Sequence, residues 1–181
     1  MIKFLTIVGF LAGLGFNIAH ADTKTLPEPR EVSMQSEYKP HLGISYGAVM
    51  PEGSFENTDI FGIDIGFQPF IPFGLGLEYT FTNIEAEGGG DFDRNDLLAK
   101  MTYNFGGDMT LLKYSYVGLG LGASFIDSDT LFVGAPLIGF DIPLSERMKH
   151  LSLGAAAKYS FYEGTSQPDA FSLTAALKYW F

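Results

Sequence analysis

Six charged residues sit at regular steps among apolar ones: Asp64, Glu78 and Asp141, and against them Lys100, Lys158 and Lys178. Three acids and three bases balance. Along an open conduit such a set would make a selective pore or a proton path. In a closed space it would pack as ion pairs, because an unpaired buried charge is costly. Three histidines are the only other obvious proton carriers: His20, His41 and His150. His20 lies just after the apolar N-terminal stretch, and the other two each stand just before an alternating segment. Neither is read as catalytic: neither is read as having a His-x-Ser neighbour, and neither could meet a serine at the opposite rim. "GGGDFDRND" puts Asp91, Asp93 and Asn95 in the D-x-D-x-N spacing that opens a calcium loop. Its sixth position is Asp96 rather than glycine, and its twelfth is Thr102 rather than an acid. The expectation is a solvated acidic loop, with no catalytic residue, no cofactor and no dedicated metal site.

The elements that must carry these residues have a period of two. "HLGISYGAVM" sets Leu42, Ile44, Tyr46, Ala48 and Met50 on one face and glycines, Ser45 and Val49 on the other. "FGIDIGFQ", "FGLGLEYTFT", "DLLAKMTYNF" and "VGLGLGASF" continue the pattern, as do "LSLGAAAKYSF" and "FSLTAALKYWF". The sixth segment, "FVGAPLIGFDI", is interrupted by Pro136. Its expected outcome is a bulge near one rim, or a strand that begins only there, and in either case the weakest pairing in the sheet. Eight segments of about ten residues have the length that crosses a bilayer at a tilt.

No charge falls on the apolar face of any segment, and the second face is dominated by Gly, Ala, Ser and Thr. A soluble sandwich would carry charge on the face toward water. Aromatic residues gather at the segment ends. Phe67, Phe73, Tyr103, Phe105, Tyr179 and Phe181 mark one rim; Tyr79, Phe81, Phe125, Phe132, Tyr159, Phe161 and Phe171 mark the other. The connections alternate between compact turns and acidic, on average longer loops. The fold class expected is all-β: an eight-stranded antiparallel up-and-down transmembrane barrel.

Residues 1–21 are expected to be a signal peptide: Lys3, an apolar core from Phe4 to Phe16, and Ala19-His20-Ala21 as a cleavage site. Residues 22–40, polar and containing three prolines, read as a periplasmic leader. Residues 41–181 are the barrel. The 181-residue chain has a net charge of −10 and no cysteine, which disfavours nucleic acid as a partner and excludes disulfides and thiolate metal sites.

The chain ends in "ALKYWF", with Leu177, Tyr179 and Phe181 at alternate positions. This ending resembles the C-terminal signal of bacterial outer-membrane barrels, which the barrel-assembly machinery recognises. From Leu42 to Phe181 the chain is similar to the small eight-stranded outer-membrane barrels of the OmpA/OmpX type. The resemblance implies a monomer in the cell outer membrane of a Gram-negative bacterium, among lipid and lipopolysaccharide. It places His41 and His150 at the periplasmic rim. The functional expectation is a non-enzymatic barrel serving membrane integrity or adhesion. The alternatives are a lipid A-modifying enzyme and a narrow channel. Barrel palmitoyltransferases use prolines to admit lipid sideways; here Pro136 stands with no catalytic histidine above it.

Overall fold

Alternating side chains settle only if one whole face of every strand meets the same surroundings, and a closed barrel provides that for all eight at once. The structure is a computed structural model; it describes residues 39–53, 55–70, 72–85, 90–105, 112–126, 129–144, 150–164 and 167–181. The expected signal peptide and nearly all of the expected leader lie outside the described residues. The strands are β1 (Lys39–Pro51), β2 (Thr58–Phe70), β3 (Phe73–Glu85), β4 (Asp91–Asn104), β5 (Ser115–Ile126), β6 (Asp129–Pro143), β7 (Leu151–Tyr162) and β8 (Ala170–Trp180). Each pairs antiparallel with its neighbours in sequence, and β8 pairs with β1 to close the barrel. Among the described strands, none is left as an edge that presents unpaired backbone groups.

The strands run from 11 to 15 residues, longer than the apolar pattern alone suggests. Their extra residues lie at the ends, where polar ones such as Asp59, Asn83, Asp91 and Asp129 join the ladders. β1 starts at Lys39, so His41 lies within the first strand rather than before it. The acidic D-x-D-x-N segment is likewise the start of β4 and not a loop. Gly90 and Gly164, in two of the connections at the loop end, have φ of 116°, a left-handed conformation that side chains rarely adopt.

β6 runs through Pro136 without a bulge. Leu119 pairs with Pro136 on the β5 side. On the β7 side, Gly134↔Phe161 and Leu137↔Lys158 belong to one unshifted register, with no pair at positions 135 and 136. The expected bulge or late strand start does not occur. Pro136 shares the outward face with Phe132, Ile138 and Phe140, and that parity keeps it in the strand. The loss is confined to its missing N–H.

Outward residues such as Leu42, Ile63, Leu77, Leu121 and Leu173 are exposed along the whole wall. A continuous apolar belt of this kind is far larger than the patches found on soluble monomers. Inside, the lumen is layered. Toward the end where Pro40 and Phe181 lie (the turn end), it holds the charged residues. Toward the other, loop end it is filled by Val49, Ile60, Leu98, Val133, Ala135, Tyr162 and Ala170, all buried. Small inward residues let the wall coil this tightly. A Cβ on Gly122 would lie 1.9 Å from the Leu97 carbonyl oxygen.

Candidate functional site: the filled lumen

The six charged positions all project inward, and the closed sheet brings them into contact. Lys100 Nζ donates to Glu78 Oε2 at 2.9 Å and also contacts Asp64. Lys158 Nζ donates to Glu78 Oε1 at 2.5 Å. Glu78 thus receives a lysine from β4 and another from β7, across the barrel. Lys178 Nζ donates to Asp141 Oδ2 at 2.7 Å and lies 5.3 Å from the centre of the Tyr116 ring. The set therefore forms one group of four and a separate pair. Each ammonium has a carboxylate within reach, which is what burial of such charges requires.

His41 joins the larger group. Its Nε2 lies 2.6 Å from Asp64 Oδ1, and its ring lies 4.5 Å from that of Trp180. The inward parity of β1, carried back two residues from Gly43, was the available signal for this. Trp180 closes the turn end of the lumen. Its Nε1–H donates to Ser152 Oγ at 3.0 Å, and its carbonyl accepts from His150 Nδ1 at 2.9 Å. His150-Leu151-Ser152 carries the His-x-Ser spacing that the sequence reading denied to both histidines. In the fold the two side chains engage different atoms of Trp180, with His150 exposed and Ser152 buried. A cavity of about 50 Å³ lies among these groups, lined in part by His41, Asp64, Lys100, Tyr116 and Trp180. That is space for a few water molecules at most.

A second polar cluster sits deeper, toward the loop end. Asp96 accepts from Ser124 Oγ at 2.6 Å and from the Tyr162 hydroxyl at 2.9 Å. The Arg94 guanidinium lies 4.7 Å from the Tyr162 ring centre, and its Nε is 3.9 Å from Asp96 Oδ2. Arg94 is 3% exposed, and its Nη1 has no hydrogen-bond partner. Arg94 and Tyr162 continue the inward alternation of Asp96 and Ser160 beyond the apolar part of their strands. Sequence reasoning missed them because it stopped where the apolar face stopped.

Asp91, Asp93 and Asn95 alternate on the outward face of β4. The Asn83 amide donates to Asp93 at 2.9 Å, and the Tyr79 hydroxyl donates to Asn95 at 2.8 Å. An extended strand spaces such side chains about 6.5 Å apart, so they do not curl around one cation. No group of three or more metal-ligating side chains occurs among the described residues. At the chain's last residues, Phe181 N–H donates to the Pro40 carbonyl at 3.0 Å. The Tyr179 and Phe181 rings meet edge to face at 5.1 Å, and Leu177 pairs with Ile44 in the closing ladder.

No family model matches the sequence, and no curated protein matches it. Solved structures do match the fold. Neisserial surface protein A (NspA) aligns over 80% of this chain and 97% of its own, with a TM-score of 0.60 and 16% identity. Ail, the attachment invasion locus protein of Yersinia pestis, aligns over 80% and 99%, with a TM-score of 0.54 and 16% identity; that structure is a complex with the heparin analogue sucrose octasulfate. The N-terminal β-barrel domain of Pseudomonas aeruginosa OprF aligns over 78% and 97%, with a TM-score of 0.51 and 13% identity. At these identities the likeness is one of architecture, and it covers nearly the whole of each of those chains. The chain has the fold of the small eight-stranded outer-membrane barrels.

Proposed function

We propose that this protein is an integral outer-membrane barrel without catalytic activity that serves membrane integrity or surface contact. Its turn end faces the periplasm and its acidic loop end faces outward. The observation that carries this reading is the filled lumen. Ion pairs occupy one half, and a packed apolar layer with the Arg94–Asp96–Tyr162 cluster the other, so the molecule's working surfaces are its lipid-facing wall and its two ends. A filled interior disfavours the narrow channel. The lipid-modifying enzyme finds little support in His41, which is enclosed between Asp64 and Trp180, or in His150, which is held by a backbone carbonyl.

Charge supports a choice of partner. Among the described residues, Arg94 is the one lysine or arginine at the loop end, and its side chain is buried. Glu56, Asp59, Glu85, Asp91, Asp129 and Glu163 are exposed there. Such a surface repels sulfated polyanions of the kind bound by Ail. It attracts cationic partners, and it shares divalent cations with phosphate-bearing lipid heads. The barrel-assembly machinery is expected to act on it during biogenesis, and the folded protein is expected to be monomeric.

The test combines location with phenotype. A peptide tag inserted at Asn57 should be stained on intact cells, and the protein should sediment with outer membranes. Deletion should raise sensitivity to detergent or lower surface adhesion. An inner-membrane location, or unaltered barrier and adhesion in the deletion strain, would refute the proposal.

A further inference from the structure

The β6–β7 seam has a gap at its middle. Glu163 N–H donates to the Phe132 carbonyl at 2.9 Å. Stepping by two along β6, positions 134 and 136 point their backbone groups toward the same neighbour. Gly134 pairs with Phe161, but the next donor is Pro136, which has no N–H. The unshifted register places Tyr159 opposite it, so the Tyr159 carbonyl lacks its ladder donor. Pro136 is the central residue of β6, where lipid offers no water to replace the bond.

The residues around the gap on β7 are tied across the barrel instead. Lys158, one residue before Tyr159, reaches Glu78 on β3 at 2.5 Å. Tyr162 donates to Asp96 on β4 at 2.9 Å. Behind the gap Val133 and Ala135 are fully buried, so the lumen side of the seam is packed shut. No such gap interrupts the β1–β8 closure, which pairs continuously from His41↔Trp180 to Pro51↔Ala170.

We infer that the Glu78–Lys158 ion pair is a latch on the β6–β7 seam, holding β7 in register at the place where Pro136 removes the ladder bond. When the latch is released, the wall loosens there first and elsewhere stays closed. The device couples the lumen's charges to the lateral integrity of one face of the barrel.

Residue-resolved amide exchange in detergent micelles tests this. The seam amides are Gly134, Ile138, Ala157, Tyr159 and Phe161, with Ile44 and Leu177 of the closing ladder as reference. Glu78→Gln should speed seam exchange roughly tenfold, as loss of one charge-assisted hydrogen bond implies, and leave the reference amides within about twofold. Pro136→Val restores the donor and should slow the seam by a similar factor. Combining the two should return the seam close to its wild-type rate. Glu78→Gln/Lys158→Gln leaves no lysine unpaired, since Lys100 keeps Asp64, and should loosen the seam as the single variant does if that one folds poorly. Unchanged seam exchange in both latch variants, or equal acceleration at the seam and the reference, would overturn the inference.

Discussion

Three consecutive residues of β5 separate the inside of this barrel from its outside, and they respond differently to substitution. Leu121 lies near the middle of the strand, outward and 46% exposed. Arginine there places a charge in the hydrocarbon, at a cost of about 2–4 kcal/mol. Gly120 faces the lumen. A Cβ on it would lie 3.4 Å from Leu98 Cδ1 and 3.6 Å from the Ala135 carbonyl oxygen, both ordinary contacts. Gly120→Ala should therefore stay within about 0.5 kcal/mol of wild type. Gly122 also faces the lumen, but its Cβ would lie 1.9 Å from the Leu97 carbonyl oxygen and 3.0 Å from Leu98 Cα. Those are backbone atoms of the paired strand and cannot rotate away, so Gly122→Ala must spread the β4–β5 ladder. The expected loss is about 1–3 kcal/mol. Urea titrations of the barrel refolded into lipid vesicles, read by tryptophan fluorescence, would rank the three. The order should be Gly120→Ala mildest, with the other two clearly worse. A Gly120→Ala loss as large as that of Leu121→Arg would show that the assignment of inner and outer faces is wrong.

The folded protein in detergent should migrate faster on an unboiled gel than after boiling, since closure resists detergent; a band insensitive to heating would contradict closure. In planar bilayers it should show no steady conductance, because Leu98 and Val133 are fully buried in the lumen; stable ohmic steps would refute the filled interior. Lys178→Met leaves Asp141 without its ammonium and should cost about 3–5 kcal/mol in the same vesicle titration. A loss below about 1 kcal/mol would mean that water serves that carboxylate equally well. Deleting Phe181, whose side chain is 66% exposed, should lower surface levels in cells far more than stability in vitro. Normal surface levels would remove its role in assembly.

The architecture was legible because a two-residue period fixes which face is inward before any partner strand is known. That is why Asp64, Glu78, Lys100, Asp141, Lys158 and Lys178 could be gathered from one parity rule. Their actual partners were not legible. Glu78 meets Lys158, eighty residues away, because of the stagger between strands, and stagger leaves no mark in the alternation. Strand ends were the other blind spot. Beyond the apolar belt, strands keep pairing while their outward residues turn polar, so Asp91 to Asn95 looked like a loop. His41 and Arg94 were lost to the same cause, each lying just past the apolar stretch that announced its strand. Pro136 misled in the opposite direction. Proline usually signals a break, but one missing donor is tolerable when the rest of the strand keeps its register.

Seven of the eight ladders join strands that follow one another along the chain, and only β1–β8 joins distant ones. Forming the seven requires closing short connections, while the eighth must bring together segments more than a hundred residues apart. The entropy of that last circle falls on a single seam, so it should be the late event in folding. With Phe181 already bonded to Pro40, a short linker could join these ends while a loop such as 52–57 is cut. The same barrel would then form by a different itinerary, and its slow step would move to β1–β2. Circular permutants should therefore share one stability and differ in their folding rates.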